Sequence, residues 1–251
     1  MDPLDTPAVR GYLHSRIGDI AIGVENLRTD KTYLRNGGAE QDTASIIKVD
    51  ILETLLYQLH GKPIPGAELP TAVAMIEDSD NDDATALWDQ DGGAPGVAAF
   101  DRRVGMRQTT PNVAWGLTTT TVGDQLKLLD ELLDKRALID SAAQRFALGL
   151  MESVTSSQAW GVSGGVPSRM SVALKNGWLP FGDGWHVNSI GRIRGDGRWY
   201  LIAVMTSDDP SEAYGVDTVN AISSRVWHSL APLSRGVLGA RRATGKTTAS
   251  R

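Results

Sequence analysis

The chain has 251 residues, 41% of them hydrophobic and 22% charged, which suffices for a large core and shows none of the bias of a disordered or fibrous protein. A formal charge of −5, with the acids scattered rather than clustered, speaks against a nucleic-acid partner, and zero cysteines exclude disulfides, thiolate metal sites and cysteine nucleophiles. Four histidines, His14, His60, His186 and His228, lie too far apart for ligand spacing, so neither a metal nor another cofactor is expected. No apolar run approaches the roughly 18 residues of a membrane span. Arg10, His14, Arg16 and Asp19 break the N-terminus where a signal peptide needs an apolar core. The expectation is a monomer working on a small molecule, cytoplasmic if the chain is complete as written and secreted or periplasmic if a signal peptide has been removed.

In chain order, residues from about Thr6 to Arg16 suit a short helix, and Asp19 to Leu27 alternates like a strand that turns through Arg28 to Lys31 into a second strand at Thr32 to Leu34. A helix follows, capped by Asp42 or Thr43, with Ile47, Ile51, Leu55 and Leu59 at helical spacing and Gly61-Lys62-Pro63 as its stop. Pro70 opens another helix. Helical patterns then dominate to about residue 152: Asp83 to Trp88, a run from Gly92-Gly93-Ala94-Pro95 to Gly105, and a stripe of Val122, Leu126, Leu129 and Leu133 after Thr119 or Thr120. Met106 to Thr118 is a short irregular connection. Three strands close the pattern at Met170 to Leu179, His186 to Arg194 and Arg198 to Thr206, the last two joined by Gly195-Asp196-Gly197, and Pro210 opens a final helix.

Strands from both ends and helices from the middle predict an α/β protein of the α+β type. A five-stranded antiparallel sheet should carry the terminal helices on one face and a helical lobe on the other, with a cleft between lobe and sheet. The expected organisation is one catalytic domain over residues 1–234, with the sheet lobe at about 1–44 and 165–234 and the helical lobe at about 45–164. Residues 235–251, basic and rich in Gly, Ser and Thr, read as a disordered tail. Within it, Gly245-Lys246-Thr247 imitates a phosphate loop, but Ala240 stands where that motif needs its first glycine.

Three groups of residues carry chemistry. Ser45 and Lys48 sit three apart in the first turn of a buried helix, so they share a face where unpaired N–H groups gather positive charge. A serine there can be a nucleophile if burial lowers the lysine pKa enough for it to act as base. Ser79-Asp80-Asn81 interrupts the helical sequence and by itself reads as a capping turn. Lys175-Asn176-Gly177-Trp178 lies in the first C-terminal strand, where the glycine allows close approach to the backbone.

In this order and on these elements, the three groups resemble the serine β-lactamase and penicillin-binding-protein superfamily, most closely the class A β-lactamases, whose signature is Ser-x-x-Lys, Ser-Asp-Asn and Lys-Thr-Gly. The resemblance spans about Ile20 to Leu230. It implies Ser45 as the acyl-accepting nucleophile, Lys48 as a proton acceptor and Ser79 as the relay to the leaving group. It further implies that Asn81 bonds Lys48 and a substrate carbonyl, that Asp80 holds the loop, and that Lys175 attracts a substrate carboxylate and tunes Ser79. The N–H groups of Ser45 and Trp178 would form the oxyanion hole.

Two departures accompany the resemblance. Asn176, expected with Gly177 and Trp178 to meet substrate, replaces the usual threonine or serine with a longer side chain, and residues Gly105 to Thr121 are too short for the class A omega loop and contain no acid to match its glutamate. Asn112 is a match for the loop asparagine. Trp115, Trp178 and Trp185 are candidates to line the cleft, and Asp183 and His186 are the titratable groups next to the Lys175 strand. The implied function is a serine hydrolase that forms acyl-Ser45 with β-lactam, amide or ester substrates and turns over β-lactams slowly. The alternatives are a D-alanyl carboxypeptidase, esterase or acyl transferase using the same serine, and a binding or regulatory domain without turnover.

Overall fold

A computed structural model describes residues 2–230, so the expected disordered tail lies outside the described residues. The chain runs α1 (Pro7–His14), β1 (Asp19–Asn26), β2 (Lys31–Arg35), β3 (Gln41–Asp42), α2 (Ile47–Gln58), α3 (Leu69–Glu77), α4 (Asn81–Gln90), α5 (Gly93–Val104), β4 (Thr119–Thr120), α6 (Val122–Glu131), α7 (Ser141–Glu152), β5 (Ser171–Phe181), β6 (Gly184–Gly195), β7 (Arg198–Asp209) and α8 (Glu212–Ser229). Five strands form one antiparallel sheet in the order β2-β1-β7-β6-β5, which leaves β5 at a free edge, and β3 pairs with β4 as a separate two-stranded ladder.

Alternation along the strands separates two cores. On β7, Leu201, Ala203 and Met205 face the helices from the middle of the chain, while Tyr200, Ile202 and Val204 face α1 and α8. β1 does the same, with Ala21 on one side and Ile20, Ile22 and Val24 on the other. A Cβ at Gly23 would lie 3.0 Å from Leu126 and 3.2 Å from the Val122 carbonyl, so the missing side chain lets α6 settle onto the sheet.

The helix that carries the first motif is buried on all sides: every residue from Ile47 to Leu56 is inside. Its apolar stripe accounts for only part of that surface, and the remainder includes Asp50 and Glu53. Burial, with Asp101 close by, holds the Asp50 carboxyl well above the usual carboxylate range, and burial does the same to Glu53. Asp101 on α5 is raised to about 7 and Asp91 to about 8, again chiefly by burial. Neither Asp91 oxygen finds a hydrogen-bond donor. The helical lobe therefore folds around carboxyl groups whose burial favours the protonated form.

Three helix starts differ from expectation. Thr43 has helical backbone angles and its side chain caps nothing; a 3₁₀ turn at Ala44–Ile46 leads into α2. The carboxylate of Asp42, the other expected cap, lies 3.2 Å from His186 Nδ1 instead. Thr121, not Thr119 or Thr120, caps α6, because the two earlier threonines are taken up in β4. Ser211 caps α8 through the Tyr214 N–H, one residue beyond Pro210. Among the described residues, no helix is long and apolar enough to cross a membrane.

Candidate active site

Ser45 lies in the 3₁₀ turn ahead of α2, half-buried, and the residue before it, Ala44, is held at φ 47°. A non-glycine residue at positive φ costs energy and persists only where its surroundings enforce it. The enforcement comes from β5. A Cβ on Gly177 would lie 2.5 Å from the Ser45 nitrogen and 2.8 Å from the Ile46 nitrogen, so the edge strand runs directly against the N–H groups of the Ser45 turn. Asn188 on β6 fixes the same turn from below, its Nδ2 donating to the carbonyls of Asp42 at 2.8 Å and Thr43 at 3.1 Å.

The second motif arrives from the lobe. Asp80 caps α4 by accepting from the N–H groups of Asp82 and Asp83 at 2.8 and 2.9 Å, which leaves Ser79 at φ 61° and turns its side chain inward. Lys48 Nζ donates to Ser79 O at 2.6 Å, Ser79 Oγ at 3.1 Å and Asn81 Oδ1 at 2.7 Å. All three N–H bonds of an ammonium at Lys48 thus find acceptors, and Ser45 is not one of them. Lys175 Nζ reaches the same hydroxyl at 2.9 Å and also donates to its neighbour's carbonyl at Asn176, 3.0 Å away.

Two fully buried lysines therefore converge on one serine. Burial lowers the Lys48 pKa to about 8, opposed in part by Asp80, and it drives Lys175 well below the ordinary lysine value, with the charge of Lys48 adding to the shift. Both shifts favour the uncharged amine over what an exposed lysine would allow.

Asn176, expected to meet substrate, points elsewhere. Strand alternation sends Lys175 and Gly177 to the cleft side and Asn176 to the opposite side, where its Nδ2 donates to the carbonyls of Gln158 at 2.6 Å and Trp160 at 3.1 Å and the side chain is wholly buried. Its role is to pin the segment before β5. Trp178 follows the same parity: its indole packs against Trp160 with ring centroids 5.6 Å apart, in the core under the terminal helices, and Trp185 joins that core. Among the residues of the third motif, Lys175 brings its side chain to Ser79, while Gly177 brings backbone against the Ser45 turn.

The short connection between α5 and α6 carries Trp115, a candidate from the sequence to line the cleft, and the structure brings it to the site. Trp115 and Leu117 bound a 3₁₀ turn that packs on the Ala44–Ile46 turn, and the Trp115 ring centroid lies 5.1 Å from Lys48 Nζ. Asn112, the candidate match to an omega-loop asparagine, is exposed and accepts from the Ala114 N–H at 3.0 Å, shaping the loop instead of reaching inward. His186 is almost buried beneath Phe181 beside Asp42, and burial lowers its pKa. Asp183 belongs to the exposed β5–β6 turn.

Residues 68–230 match the model of the beta-lactamase enzyme family. LppW of Mycobacterium tuberculosis and of Mycobacterium bovis, which its name classes as a candidate lipoprotein, is 30% identical over 179 residues, covering 66% of this chain; the matched stretch spans 57% of LppW's own length. Among solved structures, a class A beta-lactamase from Bacteroides cellulosilyticus superposes with TM-score 0.79 at 16% identity over 92% of this chain and 99% of its own. The TLA-3 extended-spectrum beta-lactamase gives 0.77 at 18% identity over 88% and 96%. A mutant of PBP-A, in acyl-enzyme complex with penicillin-G, gives 0.75 at 18% identity over 88% and 93%. At such identities these three establish the fold, which is that of the β-lactamase and penicillin-binding-protein superfamily. With the family model covering more than half of its length, the chain belongs to the beta-lactamase enzyme family.

Proposed function

We propose that this protein is a serine hydrolase that forms an acyl-Ser45 intermediate with β-lactam, amide or ester substrates and releases the acyl group slowly to water. The observation that carries this reading is the pair of buried lysines joined through Ser79 beside a serine whose turn is braced by the Gly177 backbone. In the reaction, neutral Lys48 takes the Ser45 proton as Oγ attacks the carbonyl carbon. The Ser45 and Trp178 N–H groups stabilise the oxyanion, an interaction in which each donor is worth on the order of 10²- to 10³-fold in rate. As the bond to the leaving nitrogen or oxygen breaks, Ser79 gives that atom its proton and recovers one from Lys48 or Lys175.

Slow release rests on the connection between α5 and α6. Residues 105–121 hold no acid, and where they approach the site they present Trp115 over Lys48. A positioned base typically contributes roughly 10² to 10⁴ in rate, so its loss lengthens the life of the ester accordingly. Intact-mass spectrometry with a penicillin and with an activated ester tests the first half: one equivalent of adduct is expected, absent in Ser45→Ala. A chromogenic cephalosporin tests the second, with a burst near one equivalent and then a slow phase. Sustained hydrolysis at ordinary β-lactamase rates would falsify slow release, and absence of an adduct with every donor would leave a binding domain as the remaining reading.

A further inference from the structure

One pair of titratable side chains beside the Ser45 turn takes no part in the contacts among Ser79, Lys48 and Lys175. His186 Nδ1 lies 3.2 Å from Asp42 Oδ2, within ion-pair reach though off the line of a hydrogen bond, and no other group bonds that nitrogen. The residue is 7% exposed, and Phe181 packs on its ring with centroids 5.0 Å apart. The charged groups that reach the ring are Asp42 from β3 and Asp208 from β7.

An irregularity in the sheet puts His186 there. The register of β6 on β7 slips between Trp185, opposite Asp209, and Val187, opposite Thr206, so that His186 faces two residues, Ser207 and Asp208, where one would continue the ladder. Asp208 takes φ 57°, and a Cβ on Gly184 would lie 2.9 Å from the Asp208 Cα. A bulge of this kind breaks the pairing and re-aims the side chains beside it. Two residues further along the same face of β6, Asn188 donates to the carbonyls of Asp42 and Thr43. β6 thus meets one short segment twice, Asn188 at its backbone and His186 at its carboxylate. That segment runs into Ser45 through Ala44, whose φ of 47° needs support from its surroundings.

Burial lowers the imidazole pKa although both carboxylates act the other way, so the ring is neutral at pH 7. A carboxylate facing Nδ1 selects the tautomer with its proton on that nitrogen. The contact is then an N–H dipole directed at a carboxylate, with no second charge buried beside it.

We propose that His186 is a positioning residue for the Ser45 turn: by attracting the Asp42 carboxylate through Nδ1–H it fixes the approach of β3, and with it the Ser45 and Ile46 N–H groups that lie against Gly177. The hold on the turn stands apart from the acyl-Ser45 reading; its effect on acylation rests on that reading.

Hydrogen exchange read by mass spectrometry should show the amides of residues 43–46 exchanging ~10-fold faster in His186→Phe, which keeps a ring and drops the N–H, with β1 and β7 unchanged. Acylation of Ser45 by p-nitrophenyl acetate should slow ~10-fold in the same variant. His186→Asn, which returns an N–H near the Nδ1 position, should recover most of both. Asp42→Ala should reproduce His186→Phe, the double variant being no worse than either, and it carries the comparison if His186→Phe does not fold. In the unmodified protein the ring ¹⁵N shifts of His186 should report Nδ1–H at pH 7. Parental exchange or parental acylation in the folded variants overturns the proposal, as do a uniform acceleration across the sheet, additive losses in the double variant, or a proton on Nε2. Local acceleration in a protein that no donor acylates supports the hold on the turn and sinks the acyl-Ser45 reading instead.

Discussion

Asp91→Asn should flatten the pH dependence of stability. Asp91 is 3% exposed, both carboxylate oxygens lack a donor, and burial together with Glu68 raises its pKa from 3.8 to about 8. A carboxyl raised in the folded state contributes no penalty below its unfolded pKa, where both states are protonated. As pH climbs, the unfolded chain ionises while the folded one must keep its proton, so stability falls through the window from about 4 to about 8. Each pH unit in that window costs about 1.4 kcal/mol, or on the order of 5 kcal/mol across it, a large share of the roughly 5–15 kcal/mol that holds a domain folded. The asparagine cannot ionise. It carries a constant cost for its unpartnered amide, so the slope, not the absolute value, is what reports on Asp91. Urea unfolding of both proteins at pH 5, 6, 7 and 8 should show the variant gaining on the parent by ~1 kcal/mol per unit. Parallel curves would mean that Asp91 is ionised in the folded protein and that the burial argument fails.

Three further outcomes follow from the site. Gly177→Ala should reduce acylation of Ser45 by ~10²-fold or more, because its Cβ would collide with backbone nitrogens at 2.5 and 2.8 Å that cannot swing aside; labelling at the parental rate would show that the strand and turn separate easily. The acylation rate should rise with pH and level off above about 8, since Lys48 must lose its proton before it can take one; a rise continuing towards pH 10 would remove Lys48 as the base. Asn176→Ala should cost about 1–3 kcal/mol in urea unfolding by stranding the buried carbonyls of Gln158 and Trp160, and an unchanged midpoint would indicate that water replaces the amide.

What could be read from the sequence was what local spacing encodes. Ser45 and Lys48 share a helix face, Ser79-Asp80-Asn81 breaks a helix, and Lys175 sits on a strand. The meeting of Lys48 and Lys175 at one hydroxyl is a tertiary fact, and only the resemblance anticipated it. The side of Asn176 was in principle legible, since a strand that sends Lys175 to the cleft must turn its neighbour away. Nothing in the local spacing marks Asp50 and Glu53 as core residues. With an apolar stripe through Ile47, Ile51 and Leu55, acids on other faces of a helix normally mark solvent, but α2 is enclosed on every side and those faces are core as well. Trp115 gave no periodic signal at all, because its place is fixed by loop contacts and by one bond to Thr85.

The ladder between β3 and β4 has a consequence for how the cleft opens. Gln41 and Asp42 pair with Thr120 and Thr119, the Thr43 N–H donates to the Thr118 carbonyl at 2.8 Å, and Thr119 is bonded in both directions to Thr110. The strand that leads into the Ser45 turn and the loop that carries Trp115 are thereby stitched into one piece. Such a loop cannot behave as a hinged door, since swinging it out would drag the Ser45 turn with it. Access is left to the unpaired margin of β5, and lengthening of the loop is tolerable only within its tip, between Thr110 and Thr118. There, added residues would lift the indole away while the stitching stays intact, so the surroundings of Lys48 become a property that insertions and deletions tune without touching any of the three motifs.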